Sequence, residues 1–267
     1  MKPMIFEKAT PESQGIDSEL LLKALEAAEN GAPRGIEIHD FLLLRHGKLV
    51  FEGYFAPYSA DDPSGKAENK RALQERLNLP PRADVPMIVM VTRLASHKGL
   101  DLVKYILGEL LQEDIQFVLL GSGEWVYENF FREMQDRFPD KMRYCFGFVP
   151  ELARKIYAGG DIFLMPSKSE PCGLSQMVAC RYGTIPVVRE TGGLKDSISD
   201  CGDGQGMGFT FQTYNANDML YAVHRALGAY ANKQDWPILM DRAMRADFSW
   251  GRSANEYIKL YRALIKE

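Results

Sequence analysis

Short apolar segments alternate with helical patterns from about residue 66 onward, and this alternation limits the possible folds more than any other feature. The predicted strands are residues 85–91, 115–120, 143–148, 161–165 and 184–188. The helical patterns between them are residues 99–112, 124–137, 150–158 and 173–182. Strands and helices that alternate at this pace predict a parallel sheet covered on both faces, so we expect a doubly wound α/β domain.

The first 63 residues have a different pattern. Residues 17–30 begin with a capping residue, carry apolar residues at helical spacing and stop at Gly31, which predicts a helix. Residues 36–54 contain two apolar runs separated by polar residues, which predicts a hairpin. Because residues 57–66 are polar and rich in turn formers, we place the domain boundary there and predict two domains, 1–63 and 64–267. The tail from residue 215 predicts three helices, the last from about Arg252.

Composition excludes several classes of protein. The net charge of −4 gives no overall basic field, so nucleic acid is not an expected partner. No run of 18 apolar residues occurs and the first residues lack the apolar core of a signal peptide, so neither membrane insertion nor secretion is expected. The spacing of the four cysteines fits neither a metal-binding pair nor a dense disulfide framework. We therefore expect reduced thiols, a cytoplasmic location and no metal site.

Two cations follow the first predicted strand. Arg93 and Lys98 lie five residues apart, just before a helical pattern. At the end of a strand in a parallel sheet, both could converge on a diphosphate. They could equally be solvated loop charges, and the residues alone leave both interpretations open.

Glycines mark the loops after the second and fifth predicted strands. Gly121 and Gly123 follow one strand, and Gly192 and Gly193 follow the other. Glycine lets the backbone approach a flat ligand or a phosphate closely. Each pair could instead form only a tight connection between a strand and a helix.

The loop after the fourth predicted strand carries one carboxylate, Glu170, before a helix that we expect to open at Gly173 or Leu174. The first N–H groups of a helix are free to bind an anion. Glu170 could cap that helix or hold sugar hydroxyls. Because all four loops follow strands, we expect them to line one edge of the sheet.

Several long segments resemble, in order and at the same spacing, the C-terminal donor-binding domain of bacterial glycogen (starch) synthases. They cover about three quarters of the chain. The segments are KAENKRALQERLNLP, TRLASHKGLDLV, GSGE, RKIYAGGDIFLMPSKSEPCGLSQMVACRYGTIPVVRETGGLKDSI and DFSWGRSANEYIKLY. Many retaining relatives pair two glutamates seven positions apart, whereas Met177 stands seven positions after Glu170, and Glu-Pro-Cys-Gly-Leu is the form typical of the glycogen and starch synthase group.

The resemblance implies a retaining glucosyltransferase that takes glucose from ADP-glucose to an α-1,4-glucan, without a cofactor or a metal. It implies catalytic roles for Arg93 and Lys98 on the diphosphate, and for Glu170 on the transferred glucose. Tyr157 is implied to lie against the adenine. The other residues implied to bind the nucleotide are Gly121, Gly123, Cys172, Gly173, Leu174, Ser175, Thr191, Gly192 and Gly193. His97 stands where many relatives carry Gln.

The segment before residue 64 does not fit this family. Pro11-Glu12-Ser13-Gln14-Gly15-Ile16 and the residues from Leu44 to Val50 resemble the start of serine β-lactamase-like hydrolases. That family needs a Ser-x-x-Lys nucleophile. No serine in this chain has lysine three positions later, so hydrolase activity is not expected and His39 and His46 are interpreted as surface or hairpin residues.

Three functional hypotheses follow: a glucosyltransferase fragment, a nucleotide or glucan-binding module without activity, and a serine hydrolase. We expect the domain that holds the acceptor glucan to be absent, so the chain is interpreted as a fusion, a rearranged gene or an artificial assembly. Glucan is therefore expected as a partner only if an acceptor domain is supplied. Binding of ADP or ADP-glucose is expected to survive in part.

Overall fold

The computed structural model describes residues 7–8, 12–21, 23, 40–45, 48–54 and 58–265. By the contacts between residues, the chain divides into two compact units. The larger unit comprises Pro57–Ala246, and the smaller unit joins Met1–Ala56 to Asp247–Glu267. The contacts thus group the last helix with the start of the chain, whereas the sequence pattern alone places it in the second domain.

The smaller unit contains a three-stranded sheet of β1 (Glu7–Lys8), β2 (Asp40–Arg45) and β3 (Lys48–Tyr54). β1 pairs with β3 in parallel, and β2 pairs with β3 antiparallel. The antiparallel pair confirms the predicted hairpin. His39 and His46 lie outside the described residues.

The predicted helix cap at Asp17 is present. The Asp17 carboxylate accepts hydrogen bonds from the backbone N–H groups of Glu19 and Leu20, at 2.9 and 3.1 Å. These bonds satisfy two of the donors that the start of a helix leaves without partners, and residues 18–21 and 23 are helical. The rest of the predicted helix lies outside the described residues.

Six parallel strands form the sheet of the larger unit, in the order β6-β5-β4-β7-β8-β9. The strands are β4 (Met87–Val91), β5 (Gln116–Gly121), β6 (Met142–Phe146), β7 (Ile162–Met165), β8 (Ile185–Arg189) and β9 (Phe209–Phe211). The predicted doubly wound fold is confirmed, with five strands as predicted to within two residues. The sequence pattern missed β9.

Eight helices of the larger unit surround or adjoin this sheet. They are α1 (Gly65–Arg76), α2 (Leu100–Leu110), α3 (Trp125–Arg137), α4 (Pro150–Gly159), α5 (Ser175–Arg181), α6 (Gly192–Ser197), α7 (Ala216–Ala231) and α8 (Trp236–Met244). α1 starts within the stretch that the sequence predicted as a boundary. α5 starts at Ser175, slightly later than predicted, because Leu174 is the N-cap.

The core lies between the sheet and its helices. On one face, Leu73 of α1 and Ile156 of α4 pack with Val89, Val118 and Phe163 of the strands. Burial of each such side chain stabilises the fold by about 1.5–3 kcal/mol. Elsewhere α2 contacts α3 and α7, and α7 contacts β8 and β9. The helices therefore pack against the strands of the sheet, and the loops at the ends of the strands are available to form a site.

Two buried lysines attach α1 to the sheet. Lys70 Nζ lies 2.6 Å from Asp161 Oδ2, and the same oxygen accepts the Met87 N–H at 2.8 Å. Lys66 Nζ lies 3.0 Å from both Tyr182 O and Thr184 Oγ1. These bonds satisfy the donors of two buried amino groups, which would otherwise be costly inside the protein.

The last helix, α9 (Trp250–Ile265), exposes part of its apolar face. Tyr257, Leu260 and Leu264 are 60%, 54% and 62% exposed. The sequence predicts that this face is either underpacked or covered by residues 1–63, and both alternatives stay predictions because part of that segment lies outside the described residues. Within the described ranges, every helix is too short or too polar to cross a lipid bilayer.

Candidate functional site

The loops that follow β4 and β5 are bound to each other. Leu94 N–H donates to Ser122 O at 2.9 Å, and Glu124 N–H donates to Leu94 O at 2.7 Å. A Cβ atom at Gly121 would lie 1.9 Å from Thr92 O, so no larger residue fits there without moving the backbone. Gly121 is thus required by the approach of two loops, whatever it contributes to ligand binding.

The loops that follow β7 and β8 meet in the same way. Gly193 N–H donates to Glu170 O at 3.0 Å. A Cβ atom at Gly193 would lie 1.9 Å from Cys172 O. The β7 loop also contacts the β4 loop, since Lys168 N–H donates to His97 O at 2.9 Å. The four predicted loops therefore lie on one edge of the sheet.

Two of the predicted catalytic residues form an ion pair. Lys98 Nζ lies 2.6 Å from Glu170 Oε2, and the two side chains are only 15% and 12% exposed. Ser167, which is fully buried, donates its hydroxyl to the same Glu170 oxygen at 3.1 Å. Glu170 therefore offsets the positive charge of Lys98.

The third predicted catalytic residue, Arg93, is exposed, and its guanidinium makes no hydrogen bond or ion pair within the described part of the chain. Arg93 lines an open cavity of about 420 Å³ at the ends of β4 and β5. Gly121, Tyr157 and Ser175 line the same cavity. Four predicted site residues thus line one cavity, and one of them, Arg93, is a cation without a carboxylate partner among the described residues.

The other predicted residues lie beside this cavity rather than in its wall. Among the described residues, its lining excludes the Lys98–Glu170 pair and also Gly123, Cys172, Gly173, Leu174, Thr191, Gly192 and Gly193. The predicted site residues therefore fall into two groups, one that lines the cavity and one in the adjacent loops. Hydrogen bonds and close backbone contacts join the two parts.

Tyr157 belongs mainly to the core. Its side chain is 7% exposed, and its ring lies 5.4 Å from Phe163 and 6.2 Å from Tyr182, centroid to centroid. Burial raises the pKa of the Tyr157 hydroxyl above its ordinary value. One edge of the residue reaches the cavity, so a contact with a flat ligand remains a prediction.

Sequence reasoning gave Gln176 no role. Gln176 is fully buried, and its Nε2 donates to Gly173 O and Ser197 Oγ, both at 3.0 Å. These bonds tie the segment before α5 to α6. Within the described residues its Oε1 is buried without a hydrogen-bond partner. The burial and bonding of this amide could not be predicted from the sequence, because its partners come from two separate segments.

Arg189 and Tyr214 were also missed. Arg189, the last residue of β8, donates from Nε to Ser167 O at 3.0 Å and from Nη2 to Lys168 O at 2.5 Å. Its guanidinium carbon lies 5.6 Å from the centroid of the Tyr214 ring. The position of Arg189 at a strand end, before the glycine pair, was the only signal in the sequence.

Comparison with known proteins identifies the family of this chain. The family described as Glycosyl transferases group 1 matches residues 73–236, more than half of the chain. A glycogen synthase of Anoxybacillus flavithermus is 49% identical over 211 residues, which are 78% of this chain and 44% of the relative. A glycogen synthase of Geobacillus thermodenitrificans is 51% identical over 214 residues, 79% of this chain and 44% of the relative.

A solved structure shows the same fold. The catalytic domain of starch synthase IV from Arabidopsis thaliana, bound to ADP and acarbose, matches with a TM-score of 0.71 and 38% identity. The match covers 79% of this chain and 45% of that one. The chain thus spans less than half the length of these relatives. From the extent of the family match and the shared fold, the chain belongs to the glycosyl transferases group 1 family.

Proposed function

We propose that this chain provides the donor-binding part of a glucosyltransferase of the glycogen synthase type, with ADP-glucose as donor and an α-1,4-glucan as acceptor. The observation that carries the proposal is the edge at the ends of β4 and β7. There, an uncompensated Arg93 lines a cavity and Lys98 pairs with Glu170 nearby. The glycogen synthases that are 49% and 51% identical to this chain support the choice of ADP-glucose and an α-1,4-glucan as substrates.

The proposed chemistry uses fixed charges. Departure of ADP from the anomeric carbon of glucose builds negative charge on the diphosphate. Arg93 and Lys98 would stabilise that charge where it develops. The proposed mechanism uses neither a cofactor nor a metal. Glu170 would contact the transferred glucose, and the configuration of the anomeric carbon would be retained.

We propose that Tyr157 and residues of the loops after β5, β7 and β8 bind the nucleotide. Tyr157 would lie against the adenine. Leu174 and Ser175, at the start of α5, would offer N–H groups to phosphate. The remaining proposed contacts are Gly121, Gly123, Cys172, Gly173, Thr191, Gly192 and Gly193. The starch synthase structure, which contains ADP, supports nucleotide binding at this kind of site.

For the chain by itself, donor binding is the central proposal. Transfer requires an acceptor hydroxyl held near the anomeric carbon, and such positioning can account for about 7–11 kcal/mol of the barrier. We therefore propose weak binding of ADP and ADP-glucose with negligible elongation of glucan. A binding module without activity is the second candidate. We also propose a cytoplasmic location, which the four free cysteines support.

Calorimetric titration of the purified chain with ADP, ADP-glucose and UDP-glucose tests this proposal. We expect heat from both adenine nucleotides and a loss of at least tenfold in ADP affinity in Lys98→Ala, since a charge-assisted contact contributes roughly 1.5–3 kcal/mol. Lys259→Ala is the matched control, because Lys259 is 71% exposed and lies on α9. No binding by the unmodified chain, or equal losses in both variants, would refute the proposed site.

A further inference from the structure

The loop that carries Glu170 is held from one side by Arg189. Two nitrogens of the Arg189 guanidinium donate to two successive carbonyls, Ser167 O at 3.0 Å and Lys168 O at 2.5 Å. A planar guanidinium presents donors in a fixed fork, so it can hold both carbonyls in one geometry. Arg189 forms no ion pair with a carboxylate among the described residues.

From the other side, the same loop is held by the turn that carries Lys98. Lys168 N–H donates to His97 O at 2.9 Å. A Cβ atom at Gly99 would lie 2.1 Å from Pro166 O, which shows how closely the two backbones approach. The loop is therefore enclosed between Arg189 and the turn Ser96–Lys98.

Arg189 is itself fixed by Tyr214. The Tyr214 ring lies under the guanidinium of Arg189 at 5.6 Å and under the ammonium of Lys168 at 5.5 Å. The Tyr214 hydroxyl donates to the Asp101 carboxylate at 2.5 Å. Asp101 lies in the first turn of α2, three residues after Lys98. These contacts link Arg189, through Tyr214, to the start of α2.

We propose that Arg189 is a positioning residue that sets the geometry of the Lys98–Glu170 pair through the backbone of residues 167 and 168. Tyr214 holds Arg189 in place. In the described part of the chain, Arg189 forms no hydrogen bond or ion pair with Lys98 or Glu170. It acts on them through Ser167, whose hydroxyl donates to Glu170. This inference deepens the proposed function and rests on it for its effect on nucleotide binding.

A first experiment needs no ligand. Amide hydrogen exchange is compared between the unmodified chain and Arg189→Lys, whose single ammonium cannot reproduce the fork. We expect faster exchange at Lys168 and Gly193, whose N–H groups form the bonds that join the loops, and no change along α7. The matched control is Arg242→Lys, since Arg242 also donates to a backbone carbonyl, Gly206 O at 2.6 Å. Unchanged exchange at both amides would overturn the proposal.

The second experiment measures ADP affinity in a double-mutant cycle. Arg189→Lys is expected to reduce affinity about tenfold, and this loss should disappear in the Lys98→Ala background. An equal loss in both backgrounds would show a general structural role and overturn the positioning role. If Arg189→Lys does not fold, Tyr214→Phe provides a milder change with the same expected direction.

The two experiments distinguish a failure of the proposed function from a failure of the positioning role of Arg189. If the chain binds no ADP but the exchange of Lys168 and Gly193 rises in Arg189→Lys, the proposed function fails and the positioning role of Arg189 stands. If ADP binds and Arg189→Lys changes neither exchange nor affinity, the positioning role fails and the proposed function stands.

Discussion

Replacing Glu170 with glutamine should strengthen ADP binding. From the sequence alone, Glu170 is expected to contact only the transferred glucose, so Glu170→Gln should hardly change the affinity for ADP. The ion pair changes this expectation, because Lys98 Nζ lies 2.6 Å from the Glu170 carboxylate. A diphosphate that binds Lys98 must compete with that carboxylate. Glutamine keeps the size of the side chain and removes the competing charge.

The size of the effect follows from the geometry of the pair. Two unit charges 2.6 Å apart attract by about 6 kcal/mol at an effective dielectric constant of 20, which is an upper bound because desolvation opposes it. A hydrogen bond to a charged group contributes about 1.5–3 kcal/mol net, and the glutamine amide oxygen recovers part of this. The remainder, about 1–2 kcal/mol, corresponds to a gain of about 5- to 30-fold in ADP affinity.

Calorimetric titration of ADP into both proteins measures this gain. Glu190→Gln is the matched control, because Glu190 lies on the same edge of the sheet but its nearest cation, Lys195, is 3.7 Å away. Equal gains in both variants would assign the effect to the general loss of negative charge. Unchanged or weaker ADP binding in Glu170→Gln would refute the competition between carboxylate and phosphate.

Two further predictions concern stability and loop packing. Burial lowers the pKa of Lys66 to about 7, so between pH 7 and its unfolded value near 10.5 the unfolded chain binds one more proton. The free energy of unfolding should therefore rise with pH in that window, by up to about 1.4 kcal/mol per unit, and level off below pH 7. Denaturant titrations at pH 6, 8 and 9 should show that Lys66→Met loses this slope, and equal slopes would contradict the assignment. Gly193→Ala should lower both the melting temperature and the ADP affinity, because the new Cβ atom meets Cys172 O at 1.9 Å. Gly228→Ala, which meets nothing within 4 Å inside α7, should instead stabilise the chain by roughly 0.5–1 kcal/mol, and a similar loss in both variants would contradict the packing argument.

Four of the predicted strands, β4, β5, β7 and β8, could be recognised because they are largely buried and appear as continuous apolar runs. Helix α1 could not, since its buried positions are Lys66, Lys70, Leu73 and Gln74. A helix whose inner face carries two lysines has no apolar period to detect. Strand β9 was missed because three residues are too few to show any period.

The site was likewise predicted only in part. The rule that ligands bind at the carboxyl ends of parallel strands was enough to bring the four loops together. It could not reveal that Lys98 pairs with Glu170, 72 residues away in the sequence, or that Arg189 holds the Glu170 loop. Such contacts depend on which strands are neighbours and on side-chain reach, and neither is encoded by local spacing.

The cations at this edge differ in how much of their charge a ligand would meet. Arg93 is exposed without a partner among the described residues, whereas Lys98 is offset by Glu170. A ligand that carries both a diphosphate and a glucose can replace both halves of this pair, with phosphate on Lys98 and sugar hydroxyls on Glu170. ADP alone can replace only one half and leaves a poorly solvated carboxylate beside its phosphates. The pair should therefore favour ADP-glucose over ADP, and Glu170→Gln should reduce that preference by strengthening ADP binding more than ADP-glucose binding.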